Sequence, residues 1–337
     1  MRILVTGGAG FIGCNLIRLI MTETDHAVLN LDKLSYAAHP ESLAPYEDEP
    51  RYRFMQCDIR DHDDVAAAIT EYRPQAILHL AGESHVDRSI AEPDSFVSNN
   101  VVGTQVLLDA TLKYYLELEA TERVAFRFLY VSTDEVYGSR LADEHVDENA
   151  PFQPRSPYAG SKAAATHMAH TYHLTYALPV LTAYCSNNYG PWQHTEKLIP
   201  KTITNALLGD AIPVYGDGSQ RRDWLYVDDN ARALMRILER GVVGQGYNIN
   251  GDHELTNLTL VQLLCDELDT LVPREDDSSH RELIRFVQDR PGHDIRYGMD
   301  DSRIRDELAW RPLLDFDTGL NQTLKWYFDR FTESDKT

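Results

Sequence analysis

Arg2-Ile3-Leu4-Val5-Thr6-Gly7-Gly8-Ala9-Gly10-Phe11-Ile12-Gly13 follows directly on the first residue. Five residues of β character run into a glycine-rich turn, and an apolar helical pattern continues to Ile20. Strand, glycine turn and helix in that order, with Gly8-x-Gly10-x-x-Gly13, fit the dinucleotide fingerprint. The glycines permit a tight turn and let a pyrophosphate reach backbone N–H groups at the positive end of a helix. The motif alone is weak, but its context strengthens it. A second strand, Ala27 to Leu31, ends at Asp32, about 20 residues beyond the last glycine. A carboxylate there accepts hydrogen bonds from ribose hydroxyls and repels a 2′-phosphate, which favours NAD over NADP.

The same rhythm continues outward. Tyr52 to Gln56 reads as a strand ending near Asp58-Ile59, where an acid can meet an adenine amine. Asp63 to Tyr72 reads as a helix, and Ala76 to Leu80 as a buried strand running into Ala81-Gly82-Glu83-Ser84-His85. Val101 to Tyr115 is a helix, Val124 to Ser132 a strand, Tyr158 to about Tyr176 a helix and Val180 to Ala183 a strand. Strands alternating with helices predict an α/β fold, a doubly wound parallel Rossmann sheet. After Asn187-Asn188-Tyr189-Gly190-Pro191 the segments shorten and carry more Pro and Gly. Val227 to Arg240, Leu258 to Thr270 and Ser302 to Leu308 read as helices, and Gly246 to Gly251 as a strand returning to the sheet. The expected division is a NAD-binding domain of residues 1–188 plus about 223–250. A smaller, interrupted sugar-nucleotide domain takes about 189–222 plus 251–332. The polar tail from Glu333 to Thr337 is expected to fray.

Bulk composition excludes several classes. The 337 residues are 43% hydrophobic, enough for a large core. Mean hydropathy is −0.40, no apolar run reaches membrane-spanning length, and the start lacks a leader pattern. A cytoplasmic protein is expected. Net charge is −21, with 53 acids against 32 bases, a surface that repels nucleic acid and anionic membrane. Only seven of the bases are Lys, so adaptation to a salt-rich cytoplasm stands as a hypothesis. Cys14, Cys57, Cys185 and Cys265 are scattered and read as buried free thiols. The thirteen histidines show no metal-binding spacing, so no metal is expected.

The chemistry concentrates at Tyr130-Val131-Ser132-Thr133-Asp134-Glu135-Val136-Tyr137-Gly138. A buried strand ends there with two adjacent carboxyls. Tyr158 and Lys162 follow at i,i+4 spacing, on one helix face. In open α/β sheets chemistry sits beyond the carboxyl ends of the strands. An acid, a base and a Tyr/Lys pair placed there can oxidise an alcohol and move protons on neighbouring carbons.

The glycine loop with Asp32, and Tyr158-x-x-x-Lys162, resemble the extended short-chain dehydrogenase/reductases over nearly the whole chain. A narrower resemblance is to the dTDP-glucose 4,6-dehydratases. It rests on Thr133-Asp134-Glu135-Val136-Tyr137-Gly138, Glu83-Ser84-His85-Val86-Asp87-Arg88-Ser89, Cys185-Ser186-Asn187-Asn188-Tyr189-Gly190-Pro191, Glu196-Lys197-Leu198-Ile199-Pro200, Arg222-Asp223-Trp224 and Asp289-Arg290-Pro291-Gly292-His293. Sister epimerases and decarboxylases usually lack the Asp-Glu pair, which makes it the specific signal.

The resemblance implies roles. Tyr158 takes the sugar C4 hydroxyl proton as phenolate, helped by Lys162, which also bonds the nicotinamide ribose. Thr133 bonds the C4 oxygen, Glu135 removes the C5 proton and Asp134 protonates the departing C6 hydroxyl. The implied cofactor cradle is Gly7, Gly10, Phe11, Ile12, Gly13, Asp32, Lys33, Leu34, Ser35, Asp58, Ile59, Leu80, Ala81, Gly82, Ser84, Asn99, Tyr158, Lys162 and Asn188. The substrate set is Ser84, Thr133, Asn187, Lys197, Leu198, Pro213, Tyr215, Arg222, Asn257, Arg290 and His293. Pro213 and Tyr215 flank the base, and the cations meet the diphosphate. The implied substrate is dTDP-glucose, with UDP-glucose 4,6-dehydration or C4 epimerisation as alternatives. A homodimer through the helices Val101–Tyr115 and Ala159–Tyr176 is expected. Gly82, Cys14 and Asn99 depart from the family's usual residues and bear on cofactor packing.

Overall fold

In the computed structural model, residues 1–141 and 143–334 are described. Seven strands form one all-parallel sheet: β1 (Arg2–Thr6), β2 (Ala27–Asp32), β3 (Tyr52–Gln56), β4 (Ala76–His79), β5 (Arg127–Thr133), β6 (Val180–Cys185) and, far later in sequence, β10 (Gly246–Ile249). Their spatial order is β3-β2-β1-β4-β5-β6-β10, the doubly wound order of dinucleotide-binding folds. Strand alternation feeds a core on each face. Ile3 and Val5 pack with the helices Phe11–Glu23 and Val227–Arg240, through residues such as Leu16, Ile20, Leu234 and Ile237. Leu4 points the other way, into a core with Ile69, Leu107, Leu108 and Ala169 from the helices His62–Tyr72, Gly103–Glu117 and Pro157–Tyr176.

The expected order of elements is present, including the late return of Gly246–Ile249 to the sheet. Several boundaries moved: the strand expected over Val180–Ala183 runs on to Cys185, that expected over Gly246–Gly251 ends at Ile249, and two starts moved for clear physical reasons. The strand expected from Val124 starts at Arg127, because Ala120–Ala125 forms a short helix held by a Glu119/Glu122 capping box and leaves Val124 exposed. The helix expected from Val101 begins regularly at Gly103, after a π-helical stretch from Val97 to Val102. The tail expectation falls partly outside the described residues: the last helix runs Phe316–Ser334, and residues 335–337 are not described.

The later residues build smaller sheets beside the large one. These are β11-β9-β7 (Glu254–Thr256, Arg221–Tyr226, Asn187–Tyr189) and β12-β8 (Ile284–Val287, Ile212–Tyr215). They pack on the helices Leu198–Leu208, Asn257–Leu271 and Phe316–Ser334 around Ile199, Ile203, Val214, Leu260, Leu264 and Leu320. Asp223 in β9 accepts from the backbone N–H groups of Gly251 and His253, tying the small sheet to the end of β10. The four cysteines are buried free thiols. Among the described residues, no helix is long and apolar enough to cross a membrane.

Candidate active site

The carboxyl ends of β1, β2, β4, β5 and β6 open onto two cavities that share Ser84, Gln193, Glu196 and Lys197. The first lies over the glycine turn. Gly7 has φ +73°, and a Cβ there would sit 2.6 Å from the Ala81 nitrogen. A Cβ on Gly13 would sit 2.1 Å from the Gly7 carbonyl oxygen. Only glycine lets the helix Phe11–Glu23 start this close under the turn, its free N–H groups facing the cavity. The buried Asp32 carboxylate accepts from Ala9 N at 2.9 Å and Leu34 N at 2.8 Å, which fixes its position at the end of β2. Burial raises its pKa. Lys33 bridges three segments of the rim, reaching Glu83 at 3.0 Å and Asn99 at 2.7 Å.

Gly7, Gly10, Phe11, Ile12, Gly13, Asp32, Lys33, Ser35, Ile59, Leu80, Ala81, Gly82, Ser84, Asn99, Tyr158 and Lys162 all line this cavity. Three residues expected in the cradle do not. Asp58 stands next to the lining residue Ile59 and pairs with Arg60, whose guanidinium reaches it at 2.6 Å. Leu34 adopts a left-handed φ of 59° and contributes only its N–H to Asp32. Asn188 lies in the second cavity and donates to Ser186 O.

The second cavity collects Ser84, Asn187, Lys197, Leu198, Pro213, Tyr215, Arg222, Asn257, Arg290 and His293, together with Glu135. Of the expected substrate residues, Thr133 is not part of its lining. Each of its basic side chains Lys197, Arg222, Arg290 and His293 is anchored, with burial holding the His293 pKa below its ordinary value. Lys197 Nζ donates to Ser84 O at 2.8 Å. Arg222 donates to Asp294 O at 3.0 Å and lies 4.4 Å over the Tyr297 ring. Arg290 pairs with Asp87 at 3.2 Å and covers the Tyr215 ring at 4.7 Å, while Tyr215 Oη donates to the same Asp87 at 3.1 Å. His293 Nδ1 lies 2.6 Å from Asp289. Cations that are pre-positioned and partly desolvated favour an anionic guest.

Between the cavities stands the acid pair. Thr133 ends β5, and its hydroxyl oxygen accepts from Glu135 N at 3.3 Å, starting the short turn Asp134–Tyr137. Tyr137 Oη donates to Asn248 in β10 at 2.9 Å, which pins that turn to the far edge of the sheet. Asp134 is 3% exposed; burial, then the neighbouring Glu135, pushes its carboxyl up to about 8. Burial also raises Glu135, against the pull of Arg222. Two adjacent acids in unequal surroundings separate into one that keeps its proton and one that gives it up more readily.

Tyr158 and Lys162 sit on the first turns of the helix Pro157–Tyr176, which Ser156 caps by accepting from Ala159 N at 3.0 Å. Burial dominates both. It raises the Tyr158 phenol, which the Thr133 hydroxyl opposes by favouring the phenolate, and it lowers Lys162 to about 7. Lys162 Nζ donates to Val131 O at 2.7 Å and lies 4.4 Å over the Tyr130 ring.

Several lining residues were given no role in the sequence: Gln193, His194 and Glu196 in the first cavity, Asp87, Asp294 and Tyr297 in the second. Glu196 and Asp87 lie within quoted motifs and Asp294 follows His293, and that neighbourhood was the available signal. Tyr36 Oη donates to Glu196 at 3.1 Å, linking the loop after β2 to the loop before Lys197.

Fold and site together define a class: a dehydrogenase-type Rossmann protein with a second, cation-lined cavity and a buried acid pair at the junction. The profile of the GDP-mannose 4,6 dehydratase family matches residues 4–323. A dTDP-glucose 4,6-dehydratase of Neisseria gonorrhoeae is 50% identical over 98% of this chain and 96% of its own. DesIV, a dTDP-glucose 4,6-dehydratase of Streptomyces venezuelae crystallised with NAD, superposes with a TM-score of 0.89 at 42% identity, covering 98% of both chains. A dTDP-glucose 4,6-dehydratase of Bacillus anthracis, also in complex with NAD, gives 0.85 at 38% identity over 98% of both. The chain belongs to this family of nucleotide-sugar 4,6-dehydratases.

Proposed function

We propose that this protein is an NAD-dependent hydro-lyase that converts dTDP-glucose to dTDP-4-dehydro-6-deoxy-glucose and water. The observation that carries the reading is the acid pair that follows β5: Asp134 is buried and hydrogen-bonded to Thr133, and half-buried Glu135 lines the cation-bearing cavity that adjoins the dinucleotide cradle. Near-full-length relatives named for this reaction support it.

The cradle fits a dinucleotide: backbone packing that only Gly7 and Gly13 permit brings the start of the helix Phe11–Glu23 up under the turn, and the Asp32 carboxylate stands at the end of β2 on the same cavity, where ribose hydroxyls can donate to it. NAD supplies the means to withdraw hydride at C4 and restore it at C6, so the net reaction is redox-neutral. The side chains handle the protons. Tyr158 takes the C4 hydroxyl proton while Thr133 holds that oxygen. The resulting ketone acidifies C5. Glu135 removes the C5 proton, and Asp134, the acid burial keeps protonated, gives its proton to the C6 hydroxyl, which leaves as water. Glu135 then reprotonates C5. Lys197, Arg222, Arg290 and His293 hold the diphosphate and sugar, with Pro213 and Tyr215 beside the base.

On this reading residues 1–188 plus about 223–250 serve the cofactor, and about 189–222 plus 251–332 the nucleotide sugar. The protein works in the cytoplasm as a homodimer, with the helices Gly103–Glu117 and Pro157–Tyr176 pairing across a two-fold axis. Incubation with dTDP-glucose, followed by alkaline detection of the 4-keto product and NMR of the new C6 methyl, tests the activity. Unchanged hexose or its galacto isomer would overturn it. kcat/KM for dTDP- against UDP-glucose tests the base.

A further inference from the structure

The proton movements of that dehydration, the reading on which this inference rests, do not close on themselves. Glu135 takes one proton from C5 and returns one, so it ends as it began. Tyr158 gains the C4 hydroxyl proton, and Asp134 loses one to the departing water. After each product forms, Tyr158 holds one proton too many and Asp134 one too few for the next substrate.

Thr133 stands between them. Its hydroxyl donates to Asp134 Oδ1 at 3.0 Å, and among the described residues this is the hydrogen bond that the Asp134 carboxyl makes. The helix Pro157–Tyr176, which carries Tyr158 on its first turn, packs against the turn Asp134–Tyr137, and the same hydroxyl favours the Tyr158 phenolate. Thr133, Asp134 and Tyr158 are 8%, 3% and 9% exposed, so bulk water has little access to the three. A hydroxyl can accept one hydrogen bond while donating another, which is what a relay requires.

We propose that the Thr133 hydroxyl passes a proton from Tyr158 to Asp134 at the end of every turnover, re-arming base and acid in one internal step. The Tyr158 O–H bond breaks as a new O–H bond forms on Thr133 Oγ1. The original Thr133 O–H bond breaks as one forms on Asp134. No electrons are exchanged, and no proton leaves the site. Tyr158 returns to phenolate and Asp134 to carboxylic acid. Burial raises both groups, Asp134 to about 8 and the Tyr158 phenol as well, so the transfer toward Asp134 runs on what favours the phenolate: the Thr133 hydroxyl and the positive charge of an oxidised nicotinamide beside it.

The test separates first from later turnovers. In rapid-quench experiments with dTDP-glucose, wild type should run both at one rate. Thr133→Val, nearly isosteric, should complete one turnover per site and then slow by roughly 10²-fold, the usual contribution of a positioned proton carrier. The infrared band of the protonated Asp134 carboxyl, assigned by its loss in Asp134→Asn, should vanish with that first turnover and return only at the slow rate. Thr133→Ser should restore both behaviours, and Thr133→Ala gives a second test if the valine variant fails to fold. A Thr133→Val enzyme that slows all turnovers alike, or whose Asp134 band returns faster than its slow phase, would overturn the relay and leave Thr133 as a support for the C4 oxygen. A wild type that forms no keto product would instead defeat the dehydratase reading, and the relay with it.

Discussion

The two cavities are built on different principles. The cofactor side rests on regular geometry: seven parallel strands, one glycine turn, and a helix N-terminus beneath it. The sugar side rests on charges from distant segments locked onto one another. Arg290 meets Asp87 from more than two hundred residues away, and Lys197 meets the Ser84 carbonyl from over a hundred. Regular geometry tolerates variation in most side chains but none at the closest backbone approaches. Locked charges respond to the loss of any one partner. Substitutions should therefore act differently on the two sides, and most strongly at the junction.

The junction should give the largest effect. Asp134→Asn and Glu135→Gln are each expected to lower dehydration by about 10²–10⁴-fold, the range for a lost general acid or base. Quantifying 4-keto product per unit time checks this. Near-wild-type dehydration in either variant would break the division of labour.

Next comes the cofactor side. Gly13→Val sets carbon within 2.1 Å of the Gly7 carbonyl oxygen, and backbone is poorly able to yield. The purified variant should retain less than about a tenth of the wild-type NAD, a loss of more than about 1.4 kcal/mol in binding. Absorbance of cofactor released on denaturation measures it, with circular dichroism to confirm folding. On the sugar side, Arg222→Met should raise KM for the nucleotide sugar by about 10–100-fold, as expected for a lost charge-assisted hydrogen bond, while NAD retention stays unchanged. A variant losing NAD but keeping its KM would contradict the assignment of Arg222 to the sugar cavity.

The same contrast explains what the sequence disclosed. The sheet was legible because β1, β2, β4, β5 and β6 are apolar runs separated by helical periods, and because Gly8, Gly10 and Gly13 fall between a strand and a helix with Asp32 at the end of the next strand. Even the return of Gly246–Ile249 could be read. The start of β5 could not, since Val124 has strong β character while the Glu119/Glu122 capping box commits its neighbours to a helix. Asp58 illustrates a different limit: its place after β3 could be read, but not the guanidinium two residues on that pairs with its carboxylate. Asp294 and Tyr297 were missed because their significance lies in facing Glu135 and Arg222 across the cavity, a relation no local pattern encodes.

A smaller effect should appear in stability against pH. The Asp134 carboxyl lies at about 8 in the folded protein against an ordinary 3.8. The folded state thus binds this proton more tightly than the unfolded chain does. That contribution is fully present below about pH 4 and is lost as pH rises through about 8. In cofactor-free protein, Asp134→Asn should flatten the fall in Tm between about pH 5 and 8.5. An identical slope in both proteins would mean that Asp134 is not protonated in the native state. Elimination should also decline above about pH 8, where the acid is spent before substrate arrives.

The smallest effect concerns the surface that surrounds both cavities. A net charge of −21 repels itself, and the ion pairs on the exterior, such as Arg330–Glu41 and Arg281–Asp266, are of the kind worth about 0–1 kcal/mol each. Salt weakens such pairs and the general repulsion together, since the Debye length shrinks from about 10 Å at 0.1 M to about 3 Å at 1 M. With 21 uncompensated negative charges against pairs of small individual weight, relief of repulsion should win. Tm should then rise with KCl, by about 2 °C for each kcal/mol gained. Arg222 in the sugar cavity is buried and less open to that screening than the half-buried Lys197 and Arg290. A flat or falling Tm would show that the pairs outweigh the repulsion, and would remove salt adaptation as the reason for the Lys-poor surface.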